Sequence, residues 1–166
     1  MIATLQSAMP SELPAGLHGV KPGVPVVLDE NGNADKDQLF EHMISAYRDS
    51  GGMVSGERFE QMIKGRHRGD FFSLERIVIS GEIFSFEWSA TLWIPMFQFE
   101  PLDLYIMPGP RQVLSVLDRV FDNWALALWF VQPNSWLHGR LPVDMIHNDT
   151  SAVLHAARAD RFIAEG

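Results

Sequence analysis

The chain has 166 residues, of which 46% are hydrophobic, 11% aromatic and 20% charged. These values are typical of one globular domain, or of one domain with a small appendage. The absence of cysteine excludes disulfides, thiolate nucleophiles and cysteine-based zinc sites. The sequence shows neither a secretory signal nor an apolar run near the roughly 18 residues that a membrane span requires. We therefore expect a cytoplasmic protein without a membrane segment.

The formal net charge of −8 is distributed unevenly. Residues 53–80 carry five basic and four acidic groups, whereas residues 81–108 carry four acidic groups and no basic one. A protein that binds nucleic acid usually presents a strongly basic face, because contacts with phosphates supply much of the affinity. The charge distribution therefore predicts that DNA binding is weak or absent.

The N-terminal third of the chain combines a proline-rich segment with short helices. Residues 1–34 contain four prolines and the turn-forming Asn31-Gly32-Asn33, which predicts an extended arm that is partly disordered. Helical spacing of apolar residues then begins near Asp35, and Ser55 is a candidate N-cap for a second helix. The sequence predicts short helices over about 35–50, 55–64 and 71–80.

Between residues 83 and 99 the apolar pattern changes to period two, which predicts a β-hairpin with a turn at Ser89-Ala90. Pro95 lacks an N–H group and should therefore lie on an edge or at a strand end. Aromatic alternation usually marks a buried face, so we interpret the aromatic side chains of this segment as core. The alternative is that they form a face that binds a partner. The aromatic residues are Phe84, Phe86, Trp88, Trp93, Phe97 and Phe99.

The C-terminal third is again helical. Pro110 should begin a helix whose apolar face includes Val120 and Phe121, and Asp122 should cap a buried helix over 123–131. A short helix near 142–147 and a last one over about 151–164, with Phe162 facing inward, complete the chain. The predicted fold is mainly α, with the arm (1–34), a helical part with the hairpin (35–108) and a C-terminal helical domain (109–166).

Residues 129–146 contain several residues that favour a turn between two helices. Pro133 stops the buried helix, Asn134 can bond nearby backbone, Gly139 permits a positive φ, and Pro142 begins the next helix. Each of these residues could simply build the corner between two packed helices.

The same segment resembles the core signature of the toxin-binding domain of Xre/MbcA/ParS-type antitoxins. That signature has an aromatic helix end, a Pro-Asn pair, a Leu and a Gly, then Pro-x-Asp followed by two apolar residues. Residues 149–166 are similar to the family's final helix, and the Pro-x-Phe-Gln-Phe of 95–99 is similar to an element that often precedes the domain. The resemblance covers about residues 90–166, under half of the chain.

The resemblance implies a C-terminal helical toxin-binding domain in a protein that is not an enzyme, needs no cofactor and forms a homodimer. Its partner would be a cognate toxin of the RES or ParT kind, which attacks NAD or transfers its ADP-ribose. The antitoxin's C-terminal region would occlude the active site of that toxin. The alternative for this region is a solvated terminal turn that frays. The implied contact residues are Arg158, Asp160, Arg161, Phe162, Ile163, Gly166, Asn134, Trp136, Leu137 and Gly139.

Members of this family often carry an N-terminal helix-turn-helix that binds their own operator. Residues 55–80 have a similar outline, and the candidate DNA contacts in its turn are Lys64, Arg66 and Arg68. A solvated turn is the alternative for these three residues. The second helix of this outline, residues 71–80, has only Glu75 and Arg76 as charged residues. A helix that reads base edges needs more polar side chains than these, so we expect this helix to be buried instead. A DNA-binding transcriptional regulator without a toxin partner is the alternative function.

Motifs typical of enzymes are missing. The sequence contains no phosphate-binding Gly-x-x-x-x-Gly-Lys-Ser/Thr loop, Gly-x-Ser-x-Gly elbow or His-Glu-x-x-His helix. Asp144, His147 and Asp149 could suggest a metal site, but such residues are common on solvated helix faces. We therefore predict no catalytic residue, no metal and no cofactor.

Overall fold

The structure is a computed structural model that describes residues 35–65 and 73–166. Helices predominate over a small antiparallel sheet, which confirms the predicted mainly α fold. The helices are α1 (Lys36–Tyr47), α2 (Gly56–Lys64), α3 (Leu74–Ile79), α4 (Pro108–Leu117), α5 (Asn123–Val131), α6 (Pro142–Met145) and α7 (Thr150–Glu165). The strands are β1 (Met53–Ser55), β2 (Phe86–Trp88) and β3 (Thr91–Pro95). The predicted arm, residues 1–34, lies outside the described residues.

Side-chain caps fix where several helices begin. Ser55 Oγ accepts a hydrogen bond from Arg58 N at 3.2 Å, and Asp122 Oδ1 accepts one from Ala125 N at 2.7 Å, so both predicted N-caps are confirmed. None of the described helices is long and apolar enough to cross a membrane.

Helix α4 differs from its prediction at both ends. It begins at Pro108 rather than Pro110, because Pro108 already occupies the first helical turn, where a missing N–H group is harmless. It ends at Leu117, and Val120 and Phe121 lie in the following turn, where both are half-buried. The prediction that these two residues continue the apolar face of the helix is therefore wrong.

The sheet has the strand order β1-β3-β2. Strands β2 and β3 form the predicted hairpin, in which Trp88 pairs with Thr91 across Ser89-Ala90. Both turn residues have positive φ, 48° and 58°, as in the type I′ turns that match the twist of a hairpin. Strand β1 was not predicted; it pairs with the other side of β3, with Met53 opposite Pro95. Pro95 is the last residue of β3, as predicted for a strand end.

Beyond Pro95 the chain leaves the sheet. Residues Met96–Gln98 form a 3-10 turn, so the prediction that Phe97 and Phe99 continue the strand is wrong. The buried side chain of Gln98 bonds there to backbone instead: its Oε1 accepts from Phe84 N at 2.8 Å, and its Nε2 donates to Phe84 O at 2.9 Å and Pro95 O at 3.0 Å. These bonds satisfy an amide that has no access to water.

The aromatic residues of the hairpin are core, as interpreted from the sequence. Four are buried, Phe84, Phe86, Phe97 and Phe99, while the two tryptophans, Trp88 and Trp93, are half-buried against them. The larger of two hydrophobic clusters combines three of these rings with apolar faces of α1 and α4 to α7. Residues on both sides of the 108/109 boundary thus contribute to one core.

Tyr47 connects the first helix to this core. Its side chain is fully buried, and its hydroxyl donates a 2.7 Å hydrogen bond to Ala127 O in α5. Burial raises the pKa of Tyr47 well above its ordinary value, because the phenolate could not be solvated there.

A second cluster lies between α2, α3 and the sheet. Helix α3 contributes Leu74 and Ile77 to it, whereas Glu75, Arg76 and Ile79 are exposed. The prediction that this helix is buried therefore holds for Leu74 and Ile77 but is wrong for Ile79, because α3 is amphipathic. Residues 71 and 72 of the predicted helix lie outside the described residues. The buried members of the cluster are Phe59, Ile63, Leu74, Ile77, Ile83, Ile94, Phe99 and Leu104.

Candidate functional site

The chain between α5 and α6 folds into a closed corner over residues 133–141. Asn134 N donates to Arg140 O at 3.0 Å, and Gly139 N donates to Asn134 O at 2.9 Å. Asn134 Oδ1 also accepts from Trp136 N at 2.9 Å. His138 and Gly139 have φ values of 57° and 78°, which reverse the chain direction. The predicted positive φ of Gly139 and backbone bonding by Asn134 are both confirmed.

A single carboxylate oxygen attaches this corner to α7. Asp160 Oδ2 accepts one hydrogen bond from Trp129 Nε1 at 2.8 Å and another from Asn134 Nδ2 at 2.6 Å. Both donors belong to side chains that are only 8% exposed. Hydrogen bonds to an ionised acceptor are stronger than neutral ones. We call Trp129, Asn134 and Asp160 the Asp160 clamp; it joins the end of α5, the corner and α7.

The clamp changes the interpretation of three predicted contact residues. Internal hydrogen bonds engage both polar groups of the Asn134 side chain and one oxygen of Asp160. Leu137 is 1% exposed, so the prediction that its side chain contacts a partner is wrong. It packs instead into the larger core, because the 3-10 turn Ser135–Leu137 directs it inward. Asn134 and Leu137 are thus buried, whereas Asp160 is half-buried.

The sequence contained one signal for the clamp, although Trp129 was not among the predicted site residues. Asp160 lies seven residues after the buried Val153 and three after the buried Ala157, so helical spacing places it on the inward face. An acidic residue on such a face is rarely buried without a partner. The partners themselves are 26 and 31 residues away in sequence, and nothing local identifies them.

The last turns of α7 extend beyond the core. Phe162 is 77% exposed and Ile163 is 66% exposed, and the last fully buried residue of the helix is Ala157. The prediction that Phe162 faces inward is therefore wrong, because the helix continues after the surface on which it packs has ended. Gly166 is also exposed, and its backbone N–H donates to Ile163 O at 3.4 Å.

The two arginines of this helix end differ. Arg161 Nε donates to Glu165 Oε1 at 2.7 Å, one turn further along. The Arg158 side chain is exposed and forms neither an ion pair nor a hydrogen bond with the residues that the structure describes.

Trp136 extends this surface towards the corner. It is 49% exposed, and its ring lies 6.3 Å from the ring of His155 in a T-shaped arrangement. His155, Arg158 and Phe162 follow at i, i+3 and i+7, which places them along one face of α7 over about 10 Å. We call Trp136, His155, Arg158 and Phe162 the α7 stripe.

Only one of the three candidate DNA contacts lies among the described residues. Lys64 is exposed at the end of α2, whereas Arg66 and Arg68 lie outside the described residues. The exposed face of α3 carries one acidic residue and one arginine, Glu75 and Arg76. A helix that reads base edges needs more polar donors and acceptors than these.

The three residues considered for a metal site have different surroundings. Asp149 Oδ1 caps α7 by accepting from Ala152 N at 3.0 Å, and Asp144 is exposed. Both line a polar cavity of about 380 Å³ beside the corner, whereas His147 lines a different cavity. Across residues 35–65 and 73–166, no group of three His, Asp or Glu side chains is placed to hold a metal ion.

Comparisons of the chain with protein-family models, with curated proteins and with solved structures found no match. The antitoxin family remains a prediction from the resemblance of residues 90–166. A function can therefore be proposed only from that resemblance together with the α7 stripe.

Proposed function

We propose that the protein is an antitoxin-like binding protein that neutralises a cognate RES- or ParT-like toxin by direct protein–protein contact. The contact is made by the exposed end of α7, and no catalytic group is required. One observation carries this proposal: two large apolar side chains, Phe162 and Ile163, are exposed about one turn from Arg158, whose side chain has no partner among the described residues. Aromatic residues and arginine are enriched among the side chains that dominate binding energies.

The Asp160 clamp supports the same proposal. A binding element loses less entropy on association when its conformation is fixed beforehand. The clamp and the buried residues Val153, Ala156 and Ala157 hold the base of α7, so its end projects in one direction. A helix end of this kind can enter the active-site cleft of a toxin and exclude its substrate.

The test compares neutralisation with folding. We expect deletion of residues 161–166 to abolish the rescue of cells that co-express the toxin, while the protein still unfolds cooperatively in a circular dichroism melt. Phe162→Ser is the finer variant, and Ile79→Ser is its matched control because both side chains are 77% exposed near a helix end. Losing a residue that dominates binding commonly costs at least ~2 kcal/mol, about 30-fold in affinity.

Three outcomes are informative. Rescue by the folded deletion variant would contradict the proposal, since the helix end would be dispensable. If Ile79→Ser and Phe162→Ser lost neutralisation equally, the cause would be a general effect of surface polarity rather than a contact at α7. If the protein bound its own promoter DNA in a gel-shift experiment at about 150 mM salt, where surface charges are well screened, a transcriptional regulator would be favoured instead.

A further inference from the structure

A second cavity, of about 620 Å³, lies on a different part of the molecule from the α7 stripe. Its walls come from the turn after α1, from β1 and α2, and from the segment between β3 and α4. Its volume is in the range of sites that bind small molecules. The apolar side chains that matter most here are Met62, Met96, Met107, Phe97, Phe99 and Leu104.

The three methionines give this cavity an adaptable wall. Methionine is unbranched and has a polarisable thioether, so it follows the shape of varied apolar ligands. Met62 and Met107 are half-buried at the surface of the cavity, and Met96 lies beside them. A flexible alkyl chain or an aromatic ring would suit such a lining.

Among the described residues, the charged side chains that line the cavity are both acidic. They are Asp49 and Glu100; no described lysine or arginine lines it, and His147 is the other described lining residue that can ionise. The segment that forms much of the wall, residues 81–108, contains no basic residue at all. An apolar ligand with a positively charged head therefore matches the site better than an anionic one.

The Glu100 carboxylate is held in place by its own loop. One of its oxygens, Oε2, accepts from Leu102 N at 2.8 Å and from Asp103 N at 2.7 Å. The loop continues through Leu104, a buried leucine with φ of 56°, in the left-handed region that leucine rarely adopts. Unusual backbone conformations of this kind cluster at ligand sites, where the surroundings maintain them.

We propose that this cavity binds an apolar organic cation, an amine whose alkyl or aryl part lies among the methionines. The ammonium group then faces Asp49 and Glu100, the two carboxylates that line the cavity. This proposal does not depend on toxin binding, because none of the residues of the α7 stripe lines the cavity.

The experiment uses the full chain and three probes with the same twelve-carbon chain: dodecylammonium, dodecanol and dodecanoate. Each is titrated calorimetrically below the concentration at which it aggregates. We expect saturable binding of one dodecylammonium per chain and weaker binding of the other two. Asp49→Asn should weaken dodecylammonium binding about 3-fold, the effect of a partly exposed ion pair, whereas Asp118→Asn, an exposed control, should not.

Methionine-methyl NMR of the unmodified protein then locates the probe. We expect dodecylammonium to shift the resonances of Met62, Met96 and Met107, and to leave those of Met43 and Met145, which belong to the larger core, unchanged. Met62→Trp places a larger side chain in the lining of the cavity and should weaken binding at least ~10-fold if the variant melts as the parent does. Met107→Trp is the second such variant.

Several results would overturn the proposal. These are the lack of saturable dodecylammonium binding, dodecanoate binding as tight as that of dodecylammonium, and shifts confined to methionines outside the cavity. Unchanged binding in a folded Met62→Trp or Met107→Trp variant would also do so. Because none of these measurements involves a toxin, their outcome is independent of the proposed function.

Discussion

The two halves of α7 have opposite environments within one continuous helix. Its first half contributes Val153, Ala156 and Ala157 to the larger core, whereas its last turns expose Phe162 and Ile163 to solvent. Asp160 lies between them and is bonded to the corner. The position of the packing surface, rather than the hydrophobicity of the helix, thus decides which apolar residues stabilise the fold and which remain available for binding.

This contrast predicts that folding and binding can be separated by substitution. Changes in the buried half and in its supports should lower the free energy of unfolding. Changes after Asp160 should alter binding and leave stability almost unchanged, since exposed side chains seldom contribute more than ~0.5 kcal/mol. The boundary residue, Asp160, should affect both.

The largest expected effect is that of Asp160→Ala. The substitution leaves Trp129 Nε1 and Asn134 Nδ2 without their shared acceptor in a mostly buried place. A buried donor without a partner costs about 1–3 kcal/mol, so we expect a loss of about 2 kcal/mol or more in the free energy of unfolding. Urea denaturation measures it.

Asp160→Asn and Asp118→Ala are the controls for this prediction. The asparagine oxygen can still accept both hydrogen bonds without the charge, so its loss should be smaller. Asp118 is exposed at the end of α4, and its removal should have little effect. If Asp160→Ala were as stable as Asp118→Ala, the clamp would not contribute to stability.

The corner was predictable from sequence because its signals are local. Pro133, Asn134 and Gly139 act on their own backbone or on that of close neighbours, and such preferences are readable residue by residue. The bounds of α5 agree with its prediction for the same reason: a capping aspartate begins the helix and a proline follows its end.

Features that depend on distant partners were not predictable. Strand β1 has only three residues, too few to show a period of two, and it exists because β3 offers a pairing edge. The exposure of Phe162 depends on where the core ends, which helical spacing cannot show. The cavity beside Met62 and Leu104 is formed by segments far apart in sequence, so only the fold brings its walls together.

An intermediate effect is expected at Tyr47, in the core that supports α7. Tyr47→Phe removes the hydroxyl that bonds Ala127 O and should cost about 1 kcal/mol at neutral pH. Folding raises the pKa of this phenol above its ordinary value of 10.0. Above that pH the unfolded chain loses the proton while the folded protein keeps it, so the unfolded state is favoured and stability falls.

Urea unfolding of the parent protein and of Tyr47→Phe between about pH 8 and pH 11 tests whether stability falls as the pH rises, because stability and proton binding are linked. The parent protein should lose stability above pH 10 more steeply than Tyr47→Phe, and the difference between them should shrink and then reverse. Parallel pH profiles would mean that Tyr47 ionises equally well in the folded protein.

The smallest effect on stability, and the sharpest separation from binding, is expected at the two arginines. Arg161 is paired with Glu165 at 2.7 Å, in the i, i+4 arrangement, and Arg161→Ala should lower the free energy of unfolding by only about 0.3–0.5 kcal/mol. Arg158 has no such partner among the described residues, so Arg158→Ala should leave stability unchanged.

For neutralisation, we expect the two arginines to rank in the opposite order. For the proposed toxin contact, Arg158→Ala should weaken binding more than Arg161→Ala, because a guanidinium that is not already in an ion pair can bond a partner without first breaking one. Binding titrations with the purified toxin, beside urea curves of the same two variants, measure both orders. If Arg161→Ala weakened binding more, the Glu165 pair would have to open in the complex, and the contact would be centred nearer the end of α7.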